Sequence, residues 1–304
     1  MIYDTFILGG SGLLGSNWLI SNRQKENLAT SIHEKIVRLD KVDNFKFETF
    51  NEKRINNLLS EIKPKKIINT IGMTNIEECE KNQEKAIKIN IEIPKIFAKV
   101  CFDRSIKFVH ISTDQLFDGK KEIYTEDDNL SPLNFYGKTK AMAEENILKE
   151  NKNALIIRTN FYCWGPTYRK SFSDFIFDAL ISNNKISLFK DVYYSPIKVK
   201  ELIFVIQSLM NINSKGIFNI ASSERLSKYN FGMLLSEVFK LNKSLITSSS
   251  INSRLDLVLR PKNMCLSNSK LLKELNIKLN SVIDNLIELK EELNSENYLI
   301  LKRL

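Results

Sequence analysis

The chain has 304 residues, 43% hydrophobic and 27% charged, the balance of an ordinary soluble globular protein and enough length for two lobes or one large α/β domain. Its formal charge of +9 comes mostly from lysines scattered among many Asn and Ile residues, which reads as composition bias. A nucleic-acid surface would cluster Arg and Lys with aromatics on one face, so no nucleic-acid partner is expected; a milder reading is a positive field that attracts a phosphorylated ligand. No apolar run reaches the roughly 18 residues of a membrane span. The N-terminus enters an apolar run at once, with Asp4 inside it and no basic stretch before it, so neither a membrane segment nor a signal peptide is expected. Cys79, Cys101, Cys163 and Cys265 form no Cys-x-x-Cys pair and are accompanied only by His33 and His110. That argues against a metal site and fits a reducing cytoplasm.

Tyr3 to Leu8 reads as a short buried strand and runs directly into Gly9-Gly10-Ser11-Gly12-Leu13-Leu14-Gly15, followed by helix-compatible residues from Ser16 to Asn22. Strand, glycine-rich turn and helix in that order form the context in which a glycine fingerprint is informative. The glycines let the backbone approach a pyrophosphate, which the helix N-terminus can hold by N–H groups and dipole. Lys35 to Leu39 reads as a second strand ending at Asp40. An acid there can hydrogen-bond an adenine ribose and favour NAD(H), whereas Arg38 and Lys41 beside it would suit the extra phosphate of NADP(H).

Glu52 to Ile62 is an amphipathic helix stopped by Pro64, and Lys65 to Gly72 a further buried strand. Ligands gather at strand C-termini in open α/β sheets, which makes Thr70, Ile71 and Gly72 candidate cofactor-lining residues. Asn90 falls in a helical stretch from Glu84 to Arg104, interrupted near Pro94, and reads as a local cap or kink feature. Lys107 to Ile111 is the fourth strand, ending in Ser112-Thr113-Asp114-Gln115-Leu116-Phe117-Asp118-Gly119. Hydroxyls at that position can bond a substrate carbonyl or cap the loop.

The polar loop Lys120 to Asn129 leads to Ser131-Pro132-Leu133-Asn134-Phe135-Tyr136-Gly137-Lys138-Thr139-Lys140 and a helix running to about Lys149. If the helix starts near Phe135, Tyr136 and Lys140 stand one above the other on one face. A cation so close favours phenolate, and is expected to lower the tyrosine pKa from its usual value of about 10 into a range useful for proton transfer. Ala154 to Arg158 is a fifth strand, so strands and helices alternate as in a doubly wound parallel sheet. Beyond it the aromatic stretch Thr159 to Pro166 suits either ring stacking or an interlobe core. Helices at 171–181, 199–210, 228–239 and 282–293, strands at 186–189 and 216–221, and a loop from Asp191 to Pro196 complete the chain.

These motifs, in this order, resemble the extended short-chain dehydrogenase/reductases, and among them the dTDP-4-dehydrorhamnose reductase family of nucleotide-sugar ketoreductases. The resemblance rests on the Gly9/Gly12/Gly15 loop, Arg38-Leu39-Asp40, Asn69-Thr70-Ile71-Gly72, Ile89-Asn90, Ser112 to Gly119 and Ser131 to Lys140. Arg158 to Phe161 and Arg260-Pro261 match more loosely. It implies a Rossmann-like domain over residues 1–160 and, over 161–304, a smaller α/β substrate lobe with segments packing back on the sheet. It implies NADPH or NADH as cofactor, held by Gly9, Ser11, Gly12, Leu13, Leu14, Gly15, Asp40, Thr70, Ile71, Gly72, Tyr136 and Lys140. It further implies a catalytic Thr113, Tyr136 and Lys140, with Thr113, Asn160, Phe161 and Trp164 toward the nucleotide sugar and the Asp191 to Pro196 loop nearby.

In that family the tyrosine protonates the nascent alkoxide, the lysine holds the nicotinamide ribose and the threonine bonds the substrate oxygen. The implied activity is reduction of the 4-keto group of a nucleotide-activated deoxysugar for surface polysaccharide, and the resemblance leaves room for a homodimer. Sister epimerases or dehydratases share the scaffold, and Asp114 beside Thr113 keeps them in view; so do non-catalytic regulatory relatives that retain the dinucleotide fold. Leu8 where the family has Thr, Gln115 where it has Tyr, and the unusual 161–166 loop are departures that bear on the sugar.

Overall fold

A computed structural model describes residues 2–33, 35–46 and 51–304. Seven strands form the main sheet: β1 (Thr5–Leu8), β2 (Leu28–Ile32), β3 (Val42–Lys46), β4 (Lys66–Asn69), β5 (Lys107–Ile111), β6 (Leu155–Thr159) and β7 (Gly216–Ile220). They pair in the order β7-β6-β5-β4-β1-β2-β3, every pairing parallel. Chain order runs outward in opposite senses on the two sides of β1, and this switch point opens a crevice at the strand C-termini, where such sheets take their ligands.

The central strands β1, β4, β5 and β6 are covered on both faces, which is why they are largely apolar. Alternation still sorts them. Ile7, Ile68 and Val109 face Trp18 and Leu19 of α1 (Leu13–Asn22), while Phe6, Leu8 and Phe108 face Ile55 and Leu59 of α2 (Glu52–Ile62) and Phe97 of α3 (Ile93–Asp103). The helix α4 (Phe135–Glu150) closes that second face through Ala143 and Ile147. A third apolar cluster gathers residues of α5 (Phe172–Ile181), α7 (Lys228–Val238) and α8 (Val282–Glu291), while α6 (Val199–Asn211) packs Leu202 and Ile206 onto the first face. The fold is thus the expected doubly wound, Rossmann-like α/β architecture with a smaller C-terminal α/β portion. Three two-stranded ladders belong to that portion, among them 161–162 with 197–198.

The second strand is not where the apolar run Lys35 to Leu39 put it. β2 is Leu-Ala-Thr-Ser-Ile, all five residues buried, and its small side chains conceal the pattern. Residues 36–39 form a connecting segment pinned by Val37, whose N–H and C=O both bond the Asn44 side chain at 3.1 and 2.9 Å. Asp40 therefore precedes β3, whose first residue Val42 pairs with Leu28 at the start of β2. It lies at the wrong end of the sheet for a ribose, and it pairs with Arg23 at 3.2 Å. Arg38 and Lys41 share its segment, and Lys41 Nζ bonds Gln24.

The long helical stretch before Arg104 is broken by a π turn at Lys88–Glu92, with Pro94 just inside the start of α3. Asn90 is fully buried in that turn. Its Oδ1 accepts from Met73 N–H at 2.8 Å, and its Nδ2 donates to Met73 C=O at 3.1 Å and Thr139 Oγ1 at 3.0 Å. Insertion of one residue into a helix offsets the side chains that follow by about 100°. Here it delivers an amide that clamps the segment after β4 to α4.

Candidate active site

β1 ends in a turn that only glycine makes without strain: Gly9 has φ +89°, and Gly12 N–H closes back on Gly9 C=O at 3.0 Å. Ser31 Oγ, at the end of β2, accepts from Gly9 N–H at 2.9 Å. Gly12 is the N-cap of α1 and supplies no side-chain cap, so the first-turn N–H groups face outward without an internal acceptor. A pyrophosphate fits that donor set, and the cavity above it fits a dinucleotide.

The cavity measures about 600 Å³ and runs from the glycine turn to the end of β5. Gly9, Ser11, Gly12, Leu13 and Leu14 wall one end, and Thr70, Ile71 and Gly72 the middle. Thr113, Tyr136, Lys140, Asn160 and Phe161 wall the other. Thr70 Oγ1 donates to Leu8 C=O at 2.7 Å, tying the end of β4 to that of β1. Gly15 lies behind the turn, buried and outside the wall.

Asn134 caps α4 by accepting from Gly137 N–H at 2.8 Å, so the helix starts at Phe135 and Tyr136 and Lys140 sit one turn apart. A side chain on Gly137 would collide with Gln115 C=O, so glycine lets the helix approach the Ser112–Gln115 loop. That loop is fixed from beneath: Ser112 Oγ donates to Glu144 Oε1 at 2.5 Å, and Glu144 forms a two-pronged ion pair with Arg158 of β6.

Tyr136 is 8% exposed and Lys140 3%. The expected depression of the Tyr136 pKa is not present. Burial pushes the phenol well above its usual range, the Thr113 side-chain hydrogen bond opposes this, and Asp114 adds to it. Lys140 is not among the groups that set it, because its Nζ bonds His110 Nε2 at 2.9 Å and Ile111 C=O at 2.8 Å. Burial in turn pushes Lys140 down to about 8 against the opposing charge of Glu144. Asp114 is pushed up to about 6, burial outweighing a 2.6 Å bond from Asn160 Nδ2 and the charge of Lys228.

Trp164 does not reach the cavity. Its Nε1 donates to Leu289 C=O at 2.8 Å, and Phe177, Phe239 and Tyr298 pack edge-on around it, a core residue of the C-terminal cluster. Of the 191–196 loop, Val192 lines a second cavity of about 370 Å³ while Asp191 is engaged by Ser250 and Ile251 N–H. This second cavity shares Gln115 and Asn160 with the first and carries Lys228, Arg254 and Arg260. Lys228 is inserted between Tyr194 and Phe172, its Nζ 3.3 and 4.8 Å from the ring centroids. Nothing local in the sequence distinguishes Lys228; Arg260 was visible only as the loose Arg-Pro match. His33 and Arg169 also line the first cavity, and no motif in the sequence marks them.

An uncapped glycine turn and a Thr-Tyr-Lys group sharing one cavity at the C-terminal edge of a doubly wound sheet define an α/β protein of the extended short-chain dehydrogenase/reductase class. The chain belongs to the RmlD substrate binding domain family, which it matches over residues 3–294. It is 29% identical over 290 residues to the probable low-salt glycan biosynthesis reductase of Haloferax volcanii, spanning 93% of this chain and 96% of that one. It is also 29% identical over 240 residues to subunit beta of methionine adenosyltransferase 2 of Rattus norvegicus, 74% of this chain and 70% of that protein. Among solved structures it resembles a hypothetical dTDP-4-dehydrorhamnose reductase from Sulfolobus tokodaii, with TM-score 0.79 and 28% identity over 92% of this chain and 98% of that one. No helix among the described residues is long and apolar enough to cross a membrane.

Proposed function

We propose that the protein is an NAD(P)H-dependent reductase of the ketone of a nucleotide-activated deoxysugar, serving polysaccharide assembly. Residues 1–160 act as the dinucleotide-binding part and 161–304 mainly as the substrate-binding part. The observation that carries the reading is the single cavity shared by the glycine turn and the Thr113, Tyr136 and Lys140 side chains. The second cavity, joined at Gln115 and Asn160 and bearing three cations, suits the diphosphate of a nucleotide sugar. Similarity to a glycan biosynthesis reductase and to a dehydrorhamnose reductase supports the substrate class. A cytoplasmic setting agrees with four buried free thiols.

The α1 N-terminus and the Gly9–Gly12 turn would hold the pyrophosphate of the cofactor, with Thr70 to Gly72 alongside and Lys140 toward the nicotinamide ribose. When bound, the cofactor supplies a hydride to the carbonyl carbon. Thr113 Oγ1 bonds the carbonyl oxygen and steadies the charge that builds there. Tyr136 gives its phenolic proton to the same oxygen, completing the alcohol; its raised pKa keeps the phenol protonated as the donor it has to be. Burial of all three groups excludes water that would compete for that proton.

Tyr136→Phe keeps the ring and removes the proton donor. Turnover is expected to fall by a factor of about 10²–10⁴, while NADPH affinity, read by fluorescence titration, stays within about threefold of wild type. Full turnover by this variant would contradict the assignment. A second reading, a dinucleotide-binding regulatory subunit, is supported by the similarity to subunit beta of methionine adenosyltransferase 2. Wild-type protein that binds NADPH but reduces no nucleotide ketosugar would favour it.

A further inference from the structure

Beneath the Tyr136 and Lys140 face lies a chain of hydrogen bonds whose directions follow from one backbone group. Ile71 N–H can only donate, and it lies 3.1 Å from Asn69 Oδ1, so the amide of Asn69 presents its Nδ2 to His110. That Nδ2 donates to His110 Nδ1 at 2.9 Å. Nδ1 is therefore unprotonated, and the ring's proton sits on Nε2. Nε2 lies 2.9 Å from Lys140 Nζ, and an N–H can bond that nitrogen only if the amine offers a lone pair. Lys140 then donates its own N–H to Ile111 C=O at 2.8 Å.

Turning the Asn69 amide, or shifting the ring proton to Nδ1, only moves the donor-to-donor clash along the chain to Ile71 or Asn69. Doubly protonated His110 is opposed by its complete burial.

We propose that His110, locked by Asn69 as the Nε2–H tautomer, is a positioning residue that stabilises Lys140 as a free amine. The inference rests on the reductase reading for its purpose. Tyr136 becomes phenolate when it protonates the alkoxide, and Lys140, one turn along the same helix and lining the same cavity, carries an exchangeable proton. As Lys140 transfers a proton to the phenolate, one N–H bond breaks, one phenolic O–H bond forms, and the ammonium becomes the amine that His110 Nε2–H accommodates. A proton taken up from solvent, the one that the overall reduction consumes, then restores the ammonium. The lysine's charge and place change together: uncharged on His110, charged away from it.

The groups that bear on this titration come from three elements. His110 faces Lys140 from β5, Tyr136 and Glu144 share α4 with it, and Arg158 of β6 holds the Glu144 carboxylate. Glu144 favours the ammonium, and burial favours the amine more strongly.

The chain has only two histidines, His33 and His110, so the imidazole nitrogens of ¹⁵N-histidine-labelled, ligand-free protein can be read directly by NMR, with His33→Gln for assignment. His110 is expected as the Nε2–H tautomer at neutral pH, its chemical shifts responding to a titration centred at or below about pH 8, since burial brings Lys140 to about 8 and the Nε2–H favours the amine further. Asn69→Asp offers an acceptor to Nδ1 instead; the tautomer then reverses, and the titration midpoint moves up by about one pH unit or more as Nε2 becomes an acceptor for the ammonium.

An Nδ1–H tautomer in the wild type overturns the proposal, and that measurement needs no variant and no turnover. An unmoved titration in Asn69→Asp with a reversed tautomer overturns it as well. Loss of the reductase reading would leave both spectra as expected, so the two failures are distinguishable.

Discussion

Tyr136, Lys140 and Asp114 are three ionisable groups kept nearly dry, and dryness shifts each toward its uncharged form. The i, i+4 spacing made the placement of the first two legible in the sequence. It could not supply the direction in which the Tyr136 pKa moves, because spacing says nothing about burial or about the competing partner His110. The same limit explains Trp164: an aromatic residue after a strand suits a ligand or a core equally, and what decides is Leu289 C=O, 125 residues away.

Asp114 carries a consequence for stability. Its pKa rises from an ordinary 3.8 to about 6 on folding, so between those values the folded chain binds the proton more tightly than the unfolded one. Stability attributable to this group therefore falls as pH rises through that window, and the cost is complete above it. Asp114→Asn is expected to raise stability by about 2–3 kcal/mol at pH 7.5, because each tenfold gain in proton affinity on folding is worth roughly 1.4 kcal/mol. The gain should vanish near pH 4, as read by urea denaturation at both pH values. A gain that is equal at the two would contradict the assignment.

At the level of elements, long apolar strands announced themselves and β2 did not, because Ala29, Thr30 and Ser31 carry little hydrophobic signal while being fully buried. Shifting that strand by one segment moved Asp40 to the far edge of the sheet. The π turn at Asn90 was equally hidden: the sequence shows a polar residue before a proline, whereas its buried clamp depends on Met73 and Thr139.

The Ser112, Glu144 and Arg158 group joins the end of β5 to α4 and β6 behind the Tyr136 and Lys140 face. Both charges are 2% exposed, so removing one leaves the other buried without a partner. Glu144→Ala should cost about 3–5 kcal/mol, measured by chemical denaturation, whereas Glu145→Ala, one residue along on the exposed face, should cost under about 1 kcal/mol. Equal losses would remove the special role given to the buried pair.

Across the whole molecule, the parallel sheet was readable from the alternation of strands and helices, and the glycine turn from its place between the first strand and helix. The second cavity was not, since Gln115, Asn160, Lys228 and Arg260 converge on it from four separated segments. Gln115, a departure that the resemblance marked in the sequence, lies at that junction, so the identity of the sugar rests on contacts the motifs do not encode.

The sister reading, a redox-neutral epimerase or dehydratase using Asp114 as an acid or base, differs from the reductase in one overall quantity: net consumption of reduced cofactor. The decisive measurement is therefore the stoichiometry of NADH and NADPH oxidation against product formed, over dTDP-, GDP-, UDP- and CDP-linked 4-ketosugars. One reduced cofactor oxidised per alcohol formed is the expected result for at least one substrate. Conversion of a ketosugar with no net oxidation of either cofactor would contradict it.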